Sequence, residues 1–297
     1  MADPCQPQPH DDDTSGLTGG AASSAVVSVQ RVRASTRLVV ADEVIEEVPV
    51  ALSYNGVSHA VMLATPADLE DFAVGFSVSE GIVAAPHEIH DLEIVPGCEG
   101  IVIEMQIATP RFLALKEVRR TLAGRTGCGL CGVEQLAQAV RPVPRQRPPA
   151  TPVELAAIDE ALRQLPHWQP LREQTGASHA SAWVDAQGQI RLAREDAGRH
   201  NALDKLGGAL LRSGVPVASG FVLTSSRASY EMVHKAACMG ASTLVAVSAP
   251  TALAIRTAQE AGLMLIGFAR PGQLVAYTYA ERLHGDLPGS DTARKLM

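Results

Sequence analysis

Aromatic side chains are scarce, at 4% of 297 residues, and charged ones reach only 19%, while hydrophobic residues make up 46%. That balance excludes a mainly disordered, collagen-like or coiled-coil chain and leaves a globular protein, long enough for two ordinary domains. Long apolar runs are also missing. The best stretch, Thr243 to Phe268, is broken by Arg256, Gln259 and Glu260, so no segment approaches the roughly 18 residues of a spanning helix and no membrane association is expected. There is no basic surplus: 25 Lys and Arg against 32 Asp and Glu give a formal charge of −7, which disfavours nucleic acid and anionic membrane as partners. The opening residues have neither the basic start nor the apolar core of a secretory signal, so a cytoplasmic protein is expected. Cysteine is sparse: Cys5, Cys98, Cys128, Cys131 and Cys238 are an odd number with mostly long intervals, poor material for a disulfide framework, and reduced thiols are expected. Lysine is nearly absent, 4 against 21 Arg. Arginine's planar fork suits phosphate, although a genome-wide composition bias gives the same count.

Residues 1–24, rich in Pro, Asp, Gly and Ser, predict a disordered tail, and residues 288–297 a second one. A small N-terminal α+β domain is expected over 25–120. Leu38 to Val50 is β-rich, Asn55-Gly56 marks a hairpin turn, and Thr65 with Pro66 signals a helix start whose first turn carries Asp68, Glu70 and Asp71 and whose stop is Gly81. Strands are expected at Ile89–Val95 and Ile101–Ile107. A second, α/β domain is expected over 121–287, with Cys128 and Cys131 near its start and a Pro/Arg connector at 141–149. From Pro152 helices and strands alternate: helix 152–165, hairpin strands 180–184 and 189–194, helix 201–212, strand 220–225, helix 229–238, strand 243–248, helix 251–261, and strands 263–268 and 274–278. That pattern argues for a mixed, partly parallel sheet.

Four segments could do chemistry. Gly127-Cys128-Gly129-Leu130-Cys131-Gly132 sets two thiols in a flexible, accessible loop before a helical stretch, where free N–H groups and Arg125 favour thiolate. Half of a structural zinc site, a thioredoxin-like redox pair and a sulfur-carrying thiol all fit this spacing; zinc lacks two further paired ligands, so no bound metal is expected. Glu195 to Lys205 crowds six ionisable side chains and an Asn at a strand-to-helix junction, where α/β sheets bind ligands. Helix capping by Asn201 and Asp204 would account for those two residues and leave Asp196, Arg199, His200 and Lys205 unexplained. Thr224 to Lys235 again follows a strand and opens a helix, offering Arg227 and free N–H groups to a phosphate, with Ser229 as an ordinary cap. Finally Phe268, Ala269, Arg270, Pro271, Gly272 and Gln273 give a strand-end loop with a ring for base stacking and an Arg for phosphate. Together they suggest a large, polyanionic, partly aromatic ligand such as a nucleotide derivative.

These motifs resemble the FdhD family of formate dehydrogenase accessory sulfurtransferases from about Arg37 to Leu283. The resemblance is carried by Phe72-Ala73-Val74-Gly75-Phe76 with Ser79-Glu80-Gly81, the Cys128/Cys131 loop, Thr175-Gly176 to His179-Ala180, Glu195 to Lys205, Glu231-Met232, Ser248 to Thr251, and Gly267-Phe268-Ala269-Arg270. It implies a cytidine-deaminase-like α/β domain beside the smaller domain. It also implies that the chain accepts persulfide sulfur from a cysteine desulfurase and passes it to the bis-guanine-dinucleotide form of the molybdenum cofactor, bound transiently through its GDP-like moiety, for a client formate dehydrogenase. Cys128 would carry the sulfur with Cys131 assisting, and a homodimer is expected. A non-enzymatic cofactor carrier or insertion chaperone is the alternative. A zinc nucleobase deaminase is the remote one, because Ser181 stands where such an enzyme needs a Glu two residues after its ligand His179. The chain departs from the family's Ser-Gly-Arg at Ser225-Ser226-Arg227, where a glycine would permit positive φ.

Overall fold

The computed structural model describes residues 22–123, 141–148 and 152–287. β1 (Ser24–Arg33) and β2 (Thr36–Ile45) form a two-stranded arm that joins no other sheet among the described residues. β1 begins inside the stretch expected to be tail. β3 (Val48–Tyr54) and β4 (Val57–Ala64) form the expected hairpin, with Asn55 and Gly56 both at positive φ, 49° and 76°. α1 (Leu69–Ser79) follows, then β5 (Ile89–Gly97), β6 (Gly100–Ile107) and α2 (Thr109–Ala123). The sheet is ordered β4-β3-β6-β5. Val50, Leu52, Tyr54, Ile103 and Met105, on alternate positions, close a core against Phe72, Ala73 and Phe76 of α1.

α1 does not start at Thr65. Its N-cap is Asp68, at φ 52°, and the Thr65 N–H instead donates to Asp196 Oδ2 at 3.0 Å while its hydroxyl accepts the Ala197 N–H. The acids expected to serve the helix dipole are likewise committed elsewhere. Asp71, 6% exposed, lies between Arg194 and Arg212, with nitrogens at 2.7 and 2.6 Å, and Arg212 also pairs with Glu70.

The remaining elements are β7 (Val153–Glu154), α3 (Leu155–Gln164), α4 (Pro170–Thr175), β8 (His179–Asp185), β9 (Ile190–Asp196), α5 (Arg199–Ser213), β10 (Gly220–Thr224), α6 (Tyr230–Cys238), β11 (Thr243–Ala246), α7 (Ala252–Ala261), β12 (Met264–Arg270), β13 (Gln273–Ala276) and β14 (Leu283–His284). Six strands form a mixed sheet ordered β13-β12-β11-β10-β8-β9, with β10, β11 and β12 parallel and the other pairings antiparallel. Side chains alternate between its faces. Val222, Leu244 and Leu265 pack under α5, α6 and α7; Leu223, Val245 and Ile266 pack under α3.

Two glycines let the sheets' helices meet. A Cβ on Gly75 of α1 would lie 1.8 Å from the Asp204 carbonyl oxygen, and one on Gly208 of α5 would lie 1.8 Å from that of Asp71. α1 and α5 therefore cross backbone against backbone. The crossing carries a second, buried ionic tie: Lys235 Nζ lies 2.8 Å from Asp204 and 3.1 Å from Glu80 at the end of α1, and the Ser79 hydroxyl donates to Asp204. Burial alone would lower Lys235, but these two carboxylates hold it above the ordinary lysine range.

Candidate functional site

The C-terminal ends of β9, β10, β11 and β12 and the start of β8 open along one edge of the six-stranded sheet. Backbone hydrogen bonds stitch their loops into a row. The Phe268 N–H donates to the Ser248 carbonyl at 3.2 Å, the Ser248 N–H to Ser226 at 3.3 Å, and the Ser225 N–H to Ala180 at 2.9 Å. Ala180 returns its N–H to the Ser225 hydroxyl at 2.9 Å, and its neighbour His179 pairs in register with Asp196 at the end of β9. With strands about 4.8 Å apart, the row from β12 to β9 spans roughly 19 Å.

Asp196 organises the turn into α5. Its buried carboxylate accepts N–H groups from Gly198 at 2.7 Å and Thr65 at 3.0 Å and the Asn201 amide at 3.0 Å, and meets Lys205 Nζ at 2.7 Å, with Asp196 and Lys205 side chains both 0% exposed. Asn201 and Asp204 thus do not cap α5, whose N-cap is Gly198. Asn201 ties the turn to the Leu63 carbonyl, and Asp204 pairs with Lys235. The Asp196 anchor leaves Arg199 and His200 at the head of α5, facing the loop of Arg227 and Glu231.

This part of the edge is electropositive. Burial, then Arg199 and Arg172, hold His179 below the ordinary imidazole range; burial and Arg199, with Lys235 and Arg227 adding, do the same to His200 despite Glu231. His200 Nε2 lies 3.5 Å from Glu231 Oε2 without a hydrogen bond between them. Buried polar atoms with no partner gather here: His179 Nδ1, Arg199 Nε and His200 Nε2. Unpaired buried polar atoms are costly, and Arg199 Nε is an obligatory donor, so they mark a place where an external polar group would be stabilised. Glu231 is the local counter-charge. Burial would raise its carboxyl, but the Ser229 hydroxyl, its own backbone N–H, His200 and Arg199 hold it below the ordinary range. Ser229 is the N-cap of α6, as expected, but its hydroxyl goes to Glu231 at 2.9 Å and not to the helix backbone.

Ser226, where the resemblance led to the expectation of a glycine, is buried and not at positive φ; its hydroxyl donates to the Arg227 carbonyl at 2.9 Å. The side chain is accommodated without backbone strain. Phe268 sits at φ 50° in a bulge of β12 and is 41% exposed, a left-handed conformation that costs a bulky residue energy and that Tyr279, at φ 55°, shares. Ala269 is fully buried in the core beneath the sheet. Arg270 and Pro271 are exposed at the tip of the β12–β13 hairpin, and the Gly272 N–H is held by Asp159 Oδ1 at 2.6 Å. Arg199, His200, Arg227 and Phe268 are therefore joined by one row of loops, while Arg270–Gln273 extend beyond its end.

Arg172, and His179 whose charged form it disfavours, also lie at this edge and were missed as site residues. The only signal was positional, since His179 opens the strand that pairs with the Glu195-Asp196 end. Cys128 and Cys131 lie outside the described residues. The chain re-enters at Arg141, whose N–H donates to the Tyr230 hydroxyl at 2.6 Å and whose guanidinium meets Glu80 at 2.9 Å. Tyr230 is the neighbour of Glu231 in the first turn of α6. Cys238 is a free thiol that burial pushes up. Cys98 is disulfide-bonded, which corrects the expectation of reduced thiols throughout. Among the described residues no cluster of three or more potential ligands could hold a metal, and no helix is long and apolar enough to cross a membrane.

Residues 45–284 match the family model described as FdhD/NarQ family. A sulfur carrier protein FdhD of Cupriavidus necator is 54% identical over 257 residues, covering 86% of this chain and 88% of the relative. One from Bordetella petrii is 54% identical over 242 residues, covering 82% and 87%. In structure, a formate dehydrogenase accessory protein from Desulfotalea psychrophila superposes with a TM-score of 0.69 over 89% of this chain and 100% of that one; at 23% identity it supports the fold.

Proposed function

Because the chain belongs to the FdhD/NarQ family, we propose that it is a sulfur carrier acting as a sulfurtransferase in the cytoplasm. The Cys128 thiolate attacks the terminal sulfur of a cysteine desulfurase persulfide, the donor's S–S bond breaks, and the desulfurase leaves as thiolate. Attack of the Cys131 thiolate on the inner sulfur of the Cys128 persulfide then forms a Cys128–Cys131 disulfide and releases sulfide toward the cofactor. The acceptor in this reading is the bis-guanine-dinucleotide molybdenum cofactor destined for formate dehydrogenase, held as substrate and not as a resident group.

The observation that carries the reading is the row of buried, unpartnered polar atoms on Arg199, His200 and His179, with the exposed Arg227 beside it, ending in the exposed Phe268. Arginine forks and helix-start N–H groups suit phosphates, and a phenyl face suits guanine. The strand order β9-β8-β10-β11-β12, an antiparallel hairpin followed by three parallel strands, supports a cytidine-deaminase-like domain over 121–287 beside a smaller domain over 25–120.

The test is to incubate the protein with a cysteine desulfurase and cysteine and locate the added sulfur by mass spectrometry. Sulfur on Cys128 is expected; sulfur only on Cys98 or Cys238 would refute the assignment. A Cys128→Ser/Cys131→Ser double variant that still supports formate dehydrogenase activity would make the protein a non-enzymatic carrier.

A further inference from the structure

The β12–β13 hairpin carries Phe268 and Arg270, and its tip is set from outside the hairpin. Gly267 pairs with Val275 and Arg270 with Gln273, so Phe268 and Ala269 together stand opposite Leu274. Such a bulge re-aims the side chains around it: Ala269 is buried in the core that contains Ile158 and Ala161 of α3, while Phe268 is exposed. Phe268 has its own anchor, the N–H that donates to Ser248 at 3.2 Å. Arg270 lies nearer the tip. The two residues between it and Gln273 are Pro271, whose ring fixes φ, and Gly272 at φ 79°, the pattern of a type II turn. Two-residue hairpin loops favour the mirror-image turns, whose twist matches that of the strands, and a type II turn splays them. The strands alone therefore do not fix the orientation of this tip.

Asp159 supplies the missing restraint. It lies on α3, 113 residues away in sequence, is 1% exposed, and its Oδ1 accepts the Gly272 N–H at 2.6 Å. Its Oδ2 is taken by Arg163, one turn further along α3, and Arg163 also pairs with Glu160 at 3.0 Å. A buried carboxylate with both oxygens bonded is held in one orientation, and it passes that orientation to the turn. Nothing crowds Gly272, where an added Cβ would meet no atom within 4 Å, so the tie to α3 at this point is the hydrogen bond and not packing.

We propose that Asp159 is a positioning residue for the cofactor site: by holding the Gly272 N–H it pre-organises the hairpin tip, so that Arg270 meets a nucleoside diphosphate without the tip first having to be ordered. A long, exposed arginine on an unpinned tip would lose backbone and side-chain freedom on binding, and that ordering weakens affinity. Asp159, buried under the tip, acts only through it. Its role rests on the placement of the cofactor at Phe268 and Arg270, and its loss lowers affinity while leaving sulfur loading at Cys128 intact.

The test is calorimetric titration of the full-length protein with GDP, beside sulfur mapping after incubation with a cysteine desulfurase and cysteine. Asp159→Ala and Asp159→Leu, the second close to the carboxylate in size and unable to accept, are each expected to bind GDP about tenfold more weakly. Asp159→Asn keeps an acceptor oxygen for Gly272 while giving up the charge toward Arg163, and is expected within about threefold of wild type. Asp159→Leu/Arg270→Ala is expected to be no more than about twofold weaker than Arg270→Ala alone, because an absent arginine cannot be positioned. Four results overturn the role of Asp159 and leave the proposed function standing: wild-type affinity in Asp159→Leu where Arg270→Ala is weakened, Asp159→Asn as weak as Asp159→Leu, losses that multiply in the double variant, or sulfur loading lost in both Asp159→Ala and Asp159→Leu. Wild-type affinity in Arg270→Ala itself refutes the placement of the phosphates at this tip, and the role of Asp159 with it.

Discussion

Lys205→Met removes the cation from an ion pair whose two side chains are both fully buried, while keeping most of the side-chain volume. Asp196 and Lys205 are both 0% exposed at 2.7 Å, and Lys205 also donates to the Thr65 carbonyl at 2.9 Å. The variant leaves a buried carboxylate with three N–H donors and no counter-charge, and leaves the Thr65 carbonyl without that donor. Breaking one side of a buried pair costs about 3–5 kcal/mol, a large share of the roughly 5–15 kcal/mol of a typical domain. At about 2–4 °C per kcal/mol for a protein of this size class, the melting temperature should fall by roughly 6–20 °C. Urea denaturation followed by circular dichroism would measure the loss. Asp196→Asn should cost a similar amount. The double variant should cost less than the sum by at least about 1.5 kcal/mol, because the second substitution removes the charge that the first left uncompensated. A Lys205→Met variant within about 1 kcal/mol of wild type, or strictly additive costs, would refute the view that this pair anchors the turn carrying Arg199 and His200.

Gly208→Ala puts a methyl group 1.8 Å from the Asp71 carbonyl oxygen and must drive α1 and α5 apart, so denaturation should show a loss of at least about 1–3 kcal/mol. His179, His200 and His234 all titrate below the ordinary 6.5 when folded, chiefly through burial. The unfolded chain therefore binds their protons first, and stability should fall as pH drops from about 6.5 through the folded values; the slope of melting temperature against pH should lessen in His179→Gln and stay unchanged if the three histidines are already charged in the folded protein. Phe268→Ala should weaken binding of GDP, used as a fragment of the cofactor, by roughly tenfold through lost stacking, and Arg270→Ala should weaken it through lost phosphate contact, with sulfur loading at Cys128 unaffected. Calorimetry with unchanged affinity in both variants would place the nucleotide elsewhere.

Local chemistry made much of the architecture legible in the sequence. The Asn55-Gly56 hairpin and the alternation of helices and strands after Pro152 needed only turn chemistry and hydrophobic periodicity, which act over a few residues, and these elements lie where the sequence puts them. The motifs around Arg199, Arg227 and Phe268 were likewise visible, because glycine, hydroxyl and arginine cluster where strands end. What the tertiary structure decided is the use of polar residues whose local role looked settled. Thr65 and Asn201 have the composition of helix caps, yet Asp196 and the Leu63 carbonyl claim their donors across more than 130 residues of chain. Asp71 looks like a dipole-stabilising acid and is instead the shared partner of Arg194 and Arg212. Gly75 and Gly208 read as ordinary helix interior until two backbones meet at them. In each case a buried donor, charge or close approach must be satisfied by whatever the fold brings near, and sequence separation carries no information about that neighbour.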